Sequence, residues 1–112
     1  MSLKAKQTTG VIDVLTTDTV ILTVAGKVGI EAMNCLNDTV GDVTISFYIS
    51  PDATSASGKR VTGPLTLSAG EDIDINAIIG QGYLLGNNVI AVADLVGINC
   101  STTYTQYTGG DI

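Results

Sequence analysis

Val43-Thr44-Ile45-Ser46-Phe47-Tyr48-Ile49-Ser50 is the stretch whose reading decides the fold. Successive side chains of a strand point to opposite faces, so Val43, Ile45, Phe47 and Ile49 share one face and Thr44, Ser46, Tyr48 and Ser50 the other. β-branched residues fit the pleated surface and lose rotamer freedom in a helix. Shorter alternations follow at Leu65-Thr66-Leu67-Ser68 and Ile73-Asp74-Ile75-Asn76. Val11–Thr16, Val20–Ala25, Gly29–Leu36, Asn88–Asp94 and Gly97–Gln106 read as further strands. Val89-Ile90-Ala91-Val92-Ala93 is apolar on both faces, the pattern of a strand covered on both sides.

Turn chemistry separates these runs at Asn37-Asp38, Val40-Gly41-Asp42, Pro51-Asp52, Thr62-Gly63-Pro64, Ala69-Gly70-Glu71 and Gly86-Asn87-Asn88. About eight short strands punctuated in this way define an all-β chain with a single small antiparallel β-sandwich, Ig-like or jelly-roll. A single helical turn fits near Asn76–Gly80, where the glycines that follow would weaken anything longer. The sandwich is expected over residues 11–106. Residues 1–10, MSLKAKQTTG, read as a flexible N-terminal arm, and 107–112 as a C-terminal tail. Residues 51–63, PDATSASGKRVTG, read as one long mobile loop.

At 112 residues there is room for one core. Only 14% of residues are charged, against a usual value of about 25%. Thr, present 15 times, solvates part of the surface, and a surface poor in charge also suits burial against other subunits. The net charge of −6 disfavours nucleic acid and anionic membrane. The five cations, Lys4, Lys6, Lys27, Lys59 and Arg60, form no stripe along the sequence. The opening residues lack the apolar core of a signal peptide and no apolar run is long enough for a membrane helix. Manufacture in a cytosol is therefore expected, and with it free, buried thiols at Cys35 and Cys100, although the two could lie close in space.

Histidine is absent, which removes the commonest general base and the usual partner of a serine or cysteine nucleophile. Two cysteines without histidine make no ordinary zinc site. Glu71-Asp72-Ile73-Asp74 is the densest acidic run, but it lacks the spacing of a calcium loop. As a strand it would place Asp72 and Asp74 on one face and point Glu71 away. Gly80-Gln81-Gly82 lacks the spacing of a phosphate cradle. No pair of carboxylates is singled out for glycosidase work. The expectation is a chain that is not an enzyme, with no metal and no cofactor. Candidate partner-binding residues are Lys4, Lys6, Lys59 and Arg60, which can meet acids on a neighbour, and Tyr104 and Tyr107, which can anchor one. Tyr48 and Tyr83 stand behind them, against the alternative that these tyrosines pack the rim of a small sandwich.

The order of features adds a resemblance. It runs through the Thr-rich strand 16–25, Val28-Gly29-Ile30-Glu31-Ala32-Met33-Asn34-Cys35-Leu36-Asn37 and Gly41–Pro51. It continues through Leu65-Thr66-Leu67-Ser68-Ala69-Gly70-Glu71-Asp72 and Tyr83-Leu84-Leu85-Gly86-Asn87-Asn88-Val89-Ile90-Ala91-Val92. Over about residues 16–105 this resembles small β-sandwich virion proteins of tailed bacteriophages. Similar proteins have Gly-Asp where this chain has Gly86-Asn87-Asn88. The resemblance implies a virion location, after assembly in a host cytoplasm. The role it implies is that of a capsid decoration, head-fibre or tail-associated part, first of all a cement protein docked on the major capsid protein. It implies no catalytic residues. A homo-oligomer is expected, a trimer being one form. A tail- or fibre-associated receptor- or carbohydrate-binding module is the alternative.

Overall fold

The computed structural model describes residues 3–108 of the chain. Ten strands and one helical turn follow in order: β1 (Leu3–Thr8), β2 (Ile12–Val14), β3 (Thr19–Thr23), β4 (Lys27–Asn37), β5 (Val43–Ser50), β6 (Lys59–Leu67), β7 (Asp72–Asp74), α1 (Asn76–Ile79), β8 (Tyr83–Leu85), β9 (Asn88–Ala93) and β10 (Ile98–Thr108). They form two antiparallel sheets. The larger has the order β1-β10-β4-β7, with β2 also on β10 and β8 also on β4. The smaller has the order β3-β9-β5-β6.

β1 and β2 occupy successive parts of one edge, and β7 and β8 successive parts of the other. Counted as one strand each, they leave eight positions, ordered 1-8-3-6 in one sheet and 2-7-4-5 in the other. That pairing is the jelly roll, so of the two sandwich topologies open to the sequence the chain adopts this one. The inner faces meet in one core: Val28, Ile30, Met33, Cys35, Ile98 and Cys100 from the larger sheet, and Val43, Ile45, Phe47, Leu67, Val89 and Ala91 from the smaller. Ile75 continues the β4 ladder through its N–H to the Met33 carbonyl, 2.8 Å, and α1 then lowers Ile78 into the core.

Several expectations are corrected. Residues 3–8, read as part of an arm, form an edge strand paired with β10 from Leu3↔Thr108 to Thr8↔Thr103. Lys6 is exposed on this edge, where a charged side chain discourages unwanted pairing. Tyr107 and Thr108, read as the start of the tail, belong to β10, and residues 109–112 lie outside the described residues. Residues 59–63, read as loop, begin β6. Gly63 there has φ +108°, and a Cβ on it would lie 2.8 Å from the Ile45 carbonyl and from Ser46, so the close approach to β5 requires glycine.

Residues 51–58 are held in place as a strap. Asp52 Oδ1 accepts from the Thr54 N–H (3.0 Å) and the Thr54 hydroxyl (2.7 Å). Further along, Asp18 accepts from the Ser55 N–H (3.0 Å) and the Ser55 hydroxyl (2.6 Å). The strap leaves the end of β5 and is pinned just ahead of β3. In the sheet, β9 lies between those two strands, so the strap crosses the outer side of β9. Ile90 is wholly buried there although it stands outside the inter-sheet core. This is the physical content of the doubly apolar β9 pattern.

The cysteines provide the remaining correction. Cys35 on β4 and Cys100 on β10 are directly opposite in register with Cα atoms 4.3 Å apart, and they form a disulfide instead of the free thiols expected from a cytosolic setting. Both side chains point into the core and are buried. Pairing of β4 with β10 places the two thiols within bonding reach, a proximity that 65 residues of separation conceal in the sequence.

Candidate functional site: the two ends of the sandwich

The 11-residue strands β4 and β10, at about 3.3 Å per residue, outspan the two shorter dimensions of a body measuring 49 × 26 × 19 Å and so extend along its long axis. One end is built by the loops 15–18, 38–42, 68–71 and 94–97. Asn37 organises it. This side chain is fully buried, and its Nδ2 donates to the carbonyls of Gly41 and Leu67, each at 2.8 Å. Its Oδ1 accepts from the Thr39 N–H (3.1 Å) and the Thr39 hydroxyl (2.7 Å). The Asp38 N–H bonds the Gly97 carbonyl (2.9 Å), tying the 38–42 loop to the 94–97 loop. On this scaffold Leu15, Val40, Leu95 and Val96 are exposed, Val40 completely. Leu15 and Val96 flank a cleft of about 340 Å³ shared with Asp13, Asp38 and Asn99.

Seven carboxylates surround this end: Asp13, Asp38, Asp42, Glu71, Asp72, Asp74 and Asp94, all exposed. Asp72 and Asp74 share a face as expected, and both accept from Asn34 Nδ2, Asp74 at 3.2 Å. Glu71 turns back to accept the Ser68 N–H (2.9 Å) and closes its turn. Among the described residues no three potential metal ligands come together.

The opposite end carries the cations. Lys27 pairs with Tyr107 on one side and Leu85 on the other, and Gly29 pairs with Tyr83. All five project from the outer face of the larger sheet. Tyr83 meets Tyr107 edge to face with centroids 5.4 Å apart, and Lys27 Nζ lies 4.1 Å from the Tyr83 centroid and 5.1 Å from that of Tyr107. The Tyr107 phenol is held above its ordinary pKa, first by side-chain hydrogen bonding with Tyr83, then by desolvation and by the charges of its neighbours, including Glu31. Gly29, Glu31, Ile79, Tyr83, Thr105 and Tyr107 line a notch of about 250 Å³.

The predicted partner-binding residues divide accordingly. Lys4 lies in register opposite Tyr107, and Lys6 opposite Thr105 with its Nζ 3.5 Å from Glu31. Lys59 and Arg60 stand on β6 opposite Ile49 and Tyr48, a strand and not a loop tip. The fold thus gathers at one end cations that the sequence shows scattered. Tyr104 does not join them. It lies three residues before Tyr107, packs on the core and donates its hydroxyl to Gln7 Oε1 at 3.2 Å. Sequence reasoning missed Lys27 and Tyr83 as partners of Tyr107, and Asn37 as the organiser of the acidic end. The Lys27-x-Gly29 spacing was the only available signal, and it acquires meaning only with the β8 register.

No family model matches the chain, and no curated protein does. Among solved structures it is similar to one described as "Bacillus endospore appendages form a novel family of disulfide-linked pili", with 96% of this chain and 89% of that one covered, a TM-score of 0.52 and 15% identity. That similarity is one of fold. A T13 particle of infectious bursal disease virus gives 94% and 31% coverage, a TM-score of 0.47 and 11% identity. Among the described residues no helix is long and apolar enough to cross a membrane.

Proposed function

We propose that this chain is a non-catalytic structural subunit that docks on a repeating protein surface, and more narrowly a decoration protein on the head lattice of a tailed bacteriophage. The observation that carries the reading is the scaffolded apolar end. Leu15, Val40, Leu95 and Val96 are held out by loops whose backbone is tied down, on a chain with little charge to spend on solubility. Apolar residues grouped on a rigid support, with polar groups around them, are the anatomy of an interface. Two further facts agree. A jelly roll is a fold used in shells, and the fold relative with near-complete mutual coverage is described as a pilus. A disulfide persists in oxidising surroundings, which suits a particle released from its cell. The narrower reading, phage and head, rests on the sequence resemblance.

The test is particle binding. Wild-type chain and a Leu15→Ser/Val40→Ser/Leu95→Ser/Val96→Ser variant, both folded by circular dichroism, are mixed with undecorated particles and sedimented. The wild type is expected to pellet with the particles and the variant to stay in the supernatant. Equal partitioning of the two contradicts the reading.

The aromatic notch favours a second reading, a fibre-borne carbohydrate-binding module. Tyr83 and Tyr107 offer ring surface, and Glu31 and Thr105 offer hydrogen-bonding partners for sugar hydroxyls. Binding to a glycan array that is lost in Tyr107→Ala would move the weight to it.

A further inference from the structure

The charge on this molecule is separated along its long axis. All five basic residues of the sequence lie towards one end, at register positions on β1, β4 and β6. Three of the remaining four acids have partners of their own: Glu31 is beside Lys6, Asp18, in the 15–18 loop of the acidic end, is bound to Ser55, and Asp52 to Thr54. The fourth, Asp111, lies outside the described residues. Seven carboxylates remain at the other end, with no basic residue among them. Each end also exposes large apolar side chains within its charged surroundings. The acidic end has Leu15, Val40, Leu95 and Val96, and the basic end has Tyr83 and Leu85.

We infer that the chain associates with a second copy of itself head to tail, the basic end of one molecule seating on the acidic end of the next. The inference rests on the reading of the chain as a structural subunit and adds a second copy as an occupant of the acidic end wherever the lattice does not cover it. Such a contact uses two different surfaces of the same molecule, so it propagates into a line or closes into a ring. An end-on isologous contact would instead set carboxylates against carboxylates, or cation against cation. Opposed charges at the contact add attraction and fix polarity, while the apolar residues beneath them supply burial. The cysteines support a non-covalent junction: the chain has two and they are joined to each other, leaving none to link subunits. At high salt the Debye length shortens to a few ångströms, so the association weakens there.

The experiment is sedimentation velocity on the full chain at about 20 mM and about 500 mM NaCl. Wild type is compared with an acidic-end variant, Asp38→Lys/Asp42→Lys, and a basic-end variant, Lys59→Glu/Arg60→Glu. These charged side chains are exposed and project from loop or edge positions, so the fold is expected to persist, as circular dichroism would verify. Wild type is expected to grow beyond the 11.5 kDa monomer with concentration at low salt and to revert towards it at high salt. Each variant alone is expected to associate at least about tenfold more weakly, a loss of about 1.4 kcal/mol. An equimolar mixture of the two variants keeps one intact basic end and one intact acidic end. It is expected to restore association, beginning with heterodimers of twice the monomer mass. Wild type that stays monomeric at low salt, oligomers indifferent to both variants, or a mixture that fails to pair would each overturn the inference. Particle binding by a monomer would leave the docking role standing while head-to-tail association fell. Salt-sensitive chains that ignore particles would do the reverse.

Discussion

The two sheets are held by different means. The larger is stapled within itself: its two central strands, β4 and β10, are joined by Cys35–Cys100, and its outer face is left open to carry the Lys27–Tyr83–Tyr107 group. The smaller has no covalent tie. Its outer face is crossed by the 51–58 strap, which is pinned to Asp18, and Ile90 on that face is fully buried. The contrast teaches that a sandwich this small can free one outer face for contacts by moving stability into a cross-link, while the other face is given over to the chain's own packing.

Breaking the staple has the largest expected effect. The bridge closes a loop of 65 residues, for which chain entropy allows about 4 kcal/mol. Cys35→Ala/Cys100→Ala is expected to lose up to that amount in urea unfolding, and reduction of the wild type should reproduce it. Next is Asn37→Ala, which strands the Leu67 and Gly41 carbonyls at the joint between the sheets. About 2–3 kcal/mol is expected, with faster hydrogen exchange in 38–42. Asp18→Ala frees the strap at a cost of about 1 kcal/mol, and limited proteolysis should then cut within 51–58 while leaving β4 and β10 intact. An effect of similar size and opposite sign sharpens the picture of the stapled sheet. Thr102 is fully buried on β10 and its hydroxyl has no partner among the described residues. Thr102→Val keeps the shape and removes the stranded group, so a gain of about 1 kcal/mol is expected.

The smallest effect is on pH. Hydrogen bonds from the Thr54 hydroxyl, then Ser57 and the Thr54 N–H, hold the Asp52 carboxyl below its ordinary pKa. A depressed folded-state pKa gives stability that is present above the unfolded value and fades as pH falls through the folded one. The strap is therefore expected to loosen below about pH 4, with Asp52→Asn abolishing that part of the pH dependence of exchange in 51–58.

What could be read in advance follows the range of the interactions involved. β5 is legible to the residue because its sequence alternates from Val43 to Ser50, although in the fold Ser50 is buried and Ile49 half-buried, and β9 nearly so. Asp72 and Asp74 fall on one face because a strand period of two requires it. β1 and β8 escape because LKAKQT is polar and YLL is three residues long, so only pairing with β10 and β4 defines them as strands. The Cys35–Cys100 bond and the gathering of Lys6, Lys27, Lys59 and Arg60 at one end are consequences of register between distant strands. No local pattern contains them. The jelly-roll order likewise depends on which edges the split strands take.

The measurement that tests the central claim most directly is the copy number of this chain in gradient-purified particles, by quantitative mass spectrometry against the major shell protein. A docking subunit predicts a fixed ratio that repeats between preparations and falls when Leu15, Val40, Leu95 and Val96 are replaced by serine. Absence from the particles, or a trace amount that varies with washing, would contradict it.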